Sequence, residues 1–176
     1  MSRLSRLALA GLVAAALPAC DAQFSEGGAF DCRAGATASG TIDGRAFTAD
    51  CVEVGDGATF FVGAYENYGE AGEEAAPDEP FGSFRLEIGG TAVGSYPVTA
   101  SGATTLDFFY SPGDDPDGRS TDVSVTATAG EATLAAVSAD RFAGTVAFSG
   151  PERVGPDGGT ATGETVSGSV TFSVPR

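Results

Sequence analysis

From Thr37 to the C-terminus, apolar and polar positions alternate in short runs. TVSGSVTFSV, residues 165–174, places Val166, Val170, Phe172 and Val174 on one side and Thr165, Ser167, Ser169, Thr171 and Ser173 on the other. This period of two marks a strand with one buried and one wet face. TDVSVTATA, residues 121–129, repeats the pattern with Val123, Val125, Ala127 and Ala129 inward. GSFRLEI, residues 82–88, sets Phe84, Leu86 and Ile88 inward and Ser83, Arg85 and Glu87 outward. ATFFVGAYE, residues 58–66, is apolar on both faces and suits a central strand or one crossing a covered region. TTLDFFYS, residues 104–111, aligns Leu106, Phe108 and Tyr110 opposite Asp107 and Phe109. EATLAAVS and RFAGTVAFS flank Ala139-Asp140, and SGTI and RAFT flank Asp43-Gly44. An Asp-Gly pair is a strong hairpin signal, because both residues can take positive φ. The pattern predicts an all-β fold: an antiparallel sandwich or barrel of about nine to ten short strands, with no helix after the N-terminal region. Residues 37–176 are expected to form a single β domain, since a chain of about 140 residues can bury a real core.

The first 36 residues read differently. Arg3 and Arg6 precede LALAGLVAAALPA, residues 7–19, which contains no charge and no polar face. A basic start, a short apolar run and a small residue at its end make a secretory signal, shorter than the ~20 residues a spanning helix needs. Residues 1–19 are therefore expected to be a signal-peptide helix. Residues 20–36, CDAQFSEGGAFDCRAGA, show no sustained period and read as a tether. Leu17, Pro18, Ala19 and Cys20 resemble the lipobox of bacterial lipoproteins, with Pro18 where Ala, Ser, Thr or Val is usual. The resemblance implies lipidation of Cys20, cleavage before it and a membrane anchor at the periplasmic or outer face of the cell envelope. Ordinary cleavage after Ala22 is the alternative and would release a soluble protein.

Three cysteines are present, Cys20, Cys32 and Cys51. An odd count in an exported chain leaves one thiol to explain. With Cys20 lipidated or removed, Cys32 and Cys51 remain as a pair able to form a disulfide in an oxidising compartment. Two buried reduced thiols are the other reading. Two hairpins carry a second resemblance. GTIDGRAFTA, and RFAGTVAFSG followed by VSGSVTFSV, are similar to segments of small all-β lipoproteins of Gram-negative bacteria. That resemblance implies β architecture and an envelope location and carries no catalytic residue across.

Composition bounds the chemistry. The chain has no lysine and no histidine, and after Cys20 seven arginines face 24 acidic residues, a net charge of −17. Such a charge repels nucleic acid and anionic membrane surfaces, so no nucleic-acid partner is expected. Without histidine there is no Ser-His-Asp or Cys-His arrangement. Without lysine there is no Schiff-base nucleophile and no Walker-type phosphate loop. No cofactor motif is present. Carboxylates alone could serve a glycan hydrolase. Asp107, between Leu106 and Phe108, is the candidate acid, although alternation places it on the wet side of its strand. The acidic stretch 66–80 reads as a solvated loop. The stretch 111–122 carries Asp114, Asp115 and Asp117 beside Gly118, a candidate calcium site lacking the EF-hand spacing, with a solvated loop as the alternative.

Phe60, Phe61, Tyr65, Phe81, Phe84, Phe108, Phe109 and Tyr110 all fall within residues 60–110. A core of this size needs most of these rings. Phe61 and Tyr65 lie on the opposite face of their strand from Phe60 and Val62, so an uncovered face would form an apolar patch or pocket. The expected function is a lipid-anchored envelope protein acting as a binding or structural module without enzymatic activity. Its partners would be the membrane, through the N-terminal lipid, and an envelope protein or small apolar ligand. The alternatives are a barrel-type carrier of a small apolar ligand and, more distantly, a carboxylate-dependent glycan hydrolase.

Overall fold

The computed structural model describes residues 32–56, 59–67, 80–113, 121–155 and 158–175. The signal segment, Cys20, the tether as far as residue 31 and the calcium candidates Asp114, Asp115 and Asp117 lie outside these residues. Eleven strands follow one another: β1 (Thr37–Ile42), β2 (Arg45–Thr48), β3 (Cys51–Asp56), β4 (Phe60–Glu66), β5 (Phe81–Ile88), β6 (Gly94–Pro97), β7 (Thr105–Ser111), β8 (Val123–Thr126), β9 (Ala129–Val137), β10 (Arg141–Val154) and β11 (Thr160–Pro175). No helix occurs among the described residues. All belong to one antiparallel sheet with the order β2-β1-β11-β10-β8-β7-β5-β4-β3, curled into a half-barrel. β9 pairs with β10 and β6 with β9, off this path.

The β1–β2 hairpin forms where the Asp-Gly signal places it. Asp43 has φ of 50° and Gly44 of 76°, the left-handed pair that a two-residue hairpin turn requires. Ile42 pairs with Arg45 across it.

β10 and β11 make the longest hairpin, from Arg141↔Pro175 to Val154↔Thr160. Its register shifts between Pro151 and Arg153. Proline cannot donate to a ladder and is tolerated at such an irregularity. The shift coincides with a change of neighbour. Residues 142–149 of β10 pair with β9, whereas residues 152–154 pair with β8. β8 and β9 thus form one bent path along β10, broken at Ala127–Thr128, where Ala127 N donates to Leu106 O and Thr128 N to Ser149 O. The break corrects one expectation: Ala129, read as inward with Val123, Val125 and Ala127, is exposed because β9 starts a new register.

The concave side of the sheet holds the core. Phe47, Phe60, Phe84, Phe142, Phe172, Ile42, Leu86, Ile88, Leu106 and Leu134 are essentially inaccessible to solvent. Rings from distant strands meet across the interior: Phe60 of β4 and Phe142 of β10 have centroids 4.2 Å apart, and Phe47 of β2 lies 6.3 Å from Phe84 and 6.4 Å from Phe108. Such tilted and edge-on pairs add about 0.5–1.5 kcal/mol each beyond the area they bury.

The ends of the sheet path, β2 and β3, are joined by only Ala49 and Asp50. Ala49 N donates to Ala38 O, Asp50 N to Tyr65 O and Arg33 N to Val52 O. Cys32 and Cys51 are joined by a disulfide with a Cα–Cα separation of 5.1 Å, as their even pairing predicts. The bridge pins the N-terminal arm to the start of edge strand β3.

Candidate functional site

Strand parity divides the residues of β4, β5 and β7 between the concave core and the opposite, outer face. Phe60, Val62 and Ala64, then Phe84, Leu86 and Ile88, then Leu106 and Phe108 point inward and are buried. Phe61, Tyr65, Phe81 and Phe109 point outward and are half-buried. ATFFVGAYE was apolar on both faces for this reason: one face builds the core and the other carries rings that the core does not use.

At one end of the interior a charged cluster replaces apolar packing. Glu66, Gly82 and Tyr110 stand in register across β4, β5 and β7. Arg45 reaches them from β2. Its Nη1 donates to Glu66 Oε2 at 2.7 Å, and its guanidinium carbon lies 4.1 Å from the Tyr110 ring centroid and 6.0 Å from that of Phe108. Thr48 N donates to the second carboxylate oxygen, Glu66 Oε1, at 2.6 Å. Gly82 makes room for the pair: a Cβ there would fall 2.6 Å from Glu66 Oε2 and 3.3 Å from Arg45 Nη2. Arg45 Nη2 is buried without a hydrogen-bond partner. The cluster is a latch between β2 and β4, which share no ladder. Arg45 was not singled out from sequence, and Glu66, read as the start of a solvated acidic loop, instead ends β4 with its side chain 12% exposed; nothing local reveals that a hairpin residue meets a strand end 21 positions later.

The outer face carries a second constellation. Two successive cross-strand rows run over β5, β7 and β8. Ser83, Phe109 and Ser124 make one, and Arg85, Asp107 and Thr126 make the next. These six side chains line an open groove of about 250 Å³. Asp107 is exposed on the outer side, as alternation predicts, and its Oδ1 accepts a hydrogen bond from Thr126 Oγ1 at 2.7 Å. Arg85 Nη2 donates to Glu87 Oε1 at 2.8 Å, and the guanidinium lies 4.8 Å from the Phe61 ring centroid. On the Phe109 side a line of rings continues across the sheet: Phe109 to Phe81 is 6.3 Å, and Phe81 to Tyr65 is 6.4 Å. Tyr65 is anchored by its hydroxyl, which donates to Glu53 Oε1 at 2.8 Å.

Of the residues predicted from sequence, the structure brings Cys32 and Cys51 together and sets Asp107 in the groove. Ser83, Arg85, Ser124 and Thr126 were legible only as outward-facing positions; register between strands makes them one site. Among the described residues no group of three or more acidic or cysteine side chains is placed to hold a metal ion. Compared with known protein families, curated proteins and solved structures, the chain matches none.

Proposed function

We propose that this is an exported protein held at the cell envelope by a lipid on Cys20, whose β domain is a non-catalytic binding module using the outer face of β4, β5, β7 and β8. The observation that carries the reading is the placement of Phe61, Tyr65, Phe81 and Phe109 on the face opposite the core. Large rings left half-buried, beside an open groove that also carries Arg85 and Asp107, are typical of a recognition surface. The inward face supports the same choice over an apolar-ligand carrier. Phe47, Phe60, Phe84 and Phe142 occupy the interior with mutual ring contacts, which is the space a carrier would reserve for its cargo. Asp107 lies on an exposed sheet surface rather than in a closed, water-excluding cleft, and this supports binding over glycan hydrolysis.

Two experiments test the two halves of the proposal. The anchor predicts that the membrane-extracted protein begins at Cys20, carries added lipid mass, and loses both in Cys20→Ser. An unmodified chain beginning at Gln23 would sink it. The binding face is tested by hydroxyl-radical footprinting of envelope preparations against the purified protein. Phe81 and Phe109 are expected to be less oxidised in the envelope. Equal oxidation in both samples would show that nothing covers this face in place.

A further inference from the structure

The groove on the outer face has a property that its residue types alone do not convey. Arg85 and Asp107 stand directly opposite in register on β5 and β7, the arrangement in which unlike charges normally pair. Here they do not pair. Arg85 is drawn sideways to Glu87 and onto the Phe61 ring, and Asp107 is drawn the other way to Thr126. A strong donor and a strong acceptor therefore each bind their own partners, and both line the groove. One carboxylate oxygen of Asp107 is engaged, and Arg85 uses one of its five N–H groups on Glu87. Both keep capacity for a ligand.

We infer that this groove is a subsite for an uncharged sugar ring, one unit of a longer neutral glycan. The inference rests on the binding-face reading given above and names the ligand class for that face. Four considerations select it. An anionic ligand would approach against Asp107, Glu87 and the −17 charge of the chain beyond Cys20. A cationic ligand would meet Arg85. A purely apolar ligand would desolvate Arg85 and Asp107 without returning hydrogen bonds. A sugar hydroxyl donates and accepts at once, so adjacent hydroxyls can satisfy the Asp107 carboxylate and the Arg85 guanidinium together, while the C–H face of the ring lies against Phe109. Ser83, Ser124 and Thr126 add hydroxyls around the rim. The size fits one unit. A groove of about 250 Å³ falls below the ~300–1,000 Å³ of pockets that enclose a whole small ligand. The rest of the chain would lie over Phe81 and Tyr65, whose rings continue the line from Phe109.

The test uses the full chain in detergent, titrated with cellohexaose, maltohexaose and N-acetylchitohexaose as uncharged probes and polygalacturonate as the anionic control. Binding is read by amide chemical-shift changes. At least one uncharged probe is expected to bind saturably and to shift the amides of Ser83, Asp107 and Ser124. Phe109→Ala and Asp107→Asn should each raise its Kd at least tenfold, while the far-UV circular dichroism stays that of the parent. Ser95→Ala, on β6 and outside the groove, should leave the Kd unchanged. The inference is overturned if no uncharged probe binds, if only polygalacturonate binds, or if both groove variants bind as the parent does. Any of these outcomes, with Phe81 and Phe109 still protected in envelope preparations, would leave the binding face standing with a ligand of another class. Loss of that protection as well would remove the face itself.

Discussion

The Glu66 carboxylate is committed at both of its oxygens. Its two oxygens take hydrogen bonds from Arg45 and from the Thr48 backbone, and its side chain is 12% exposed. Glu66→Ala would leave a guanidinium pressed on Tyr110 without its counter-charge and a backbone N–H without its acceptor. Because Arg45 keeps a third of its side-chain surface in water, the cost falls below that of a fully buried pair, about 2 kcal/mol. Glu66→Gln keeps an acceptor for Thr48 and should cost about half as much. Urea unfolding checks both; equal, negligible effects would show that the pair latches nothing. Gly82→Ala belongs to the same cluster. Its Cβ would press on a carboxylate that is pinned at both oxygens and cannot swing aside, an overpacking cost of roughly 1–3 kcal/mol. In a Glu66→Ala background the obstructing atom is gone, so the same change should be nearly free. Additive costs in the double variant would contradict the contact, since coupling is what a shared site produces.

Among the elements, β3 depends most on covalent help. It is the last strand of the sheet path, with β4 as its only ladder partner among the described residues. The Cys32–Cys51 bridge spans 19 positions and fastens the N-terminal arm to its first residue. A loop of this size constrains the unfolded chain by ~3 kcal/mol in the chain-entropy model. Reduction, or paired Cys32→Ser and Cys51→Ser replacement, should lower the unfolding free energy by about that amount, and hydrogen exchange should quicken first at Val52 and Val54. An unchanged urea midpoint on reduction would rule this out. The strands themselves were largely legible in sequence, for a physical reason. Where one face meets the core and the other meets water, the period of two is written into residue choice, as in β5, β7 and β11. β3 alternates Val52 and Val54 with Glu53 and Gly55, but over too few residues to stand out. β6, GSYP, is four residues long and sets a single ring, Tyr96, against the core, too little for alternation to show. β8 and β9 looked independent because a bend at Ala127–Thr128 is set by the neighbours on either side, Leu106 and Ser149, rather than by the local sequence. The groove was illegible for the same reason. Alternation gave the outward direction of Arg85 and Asp107, but only register makes them opposite.

Across the whole molecule, apolar packing and charge act against one another. The half-barrel encloses a well-filled core, while the chain after Cys20 carries seven arginines against 24 acidic residues. Seven arginines cannot neutralise 24 carboxylates, so most of the acidic charge is left in excess. Like charges held on a compact body repel more strongly than on an extended chain, and folding is opposed accordingly. Salt should relieve this. The screening length falls from about 30 Å at ~0.01 M salt to about 8 Å at ~0.15 M, shorter than the distance across a domain of this size. The melting temperature is therefore expected to rise between these concentrations. A relief of about 1 kcal/mol would raise it by roughly 4 °C for a domain of this length. The form of the rise identifies its cause. Charge screening is nearly complete once the screening length drops below the spacing of neighbouring carboxylates, so the gain should level off beyond a few tenths molar sodium chloride. A rise that stays linear to molar concentrations would instead indicate salt exclusion from apolar surface. A flat or falling melting temperature over the dilute range would show that the acidic surface does not strain the fold.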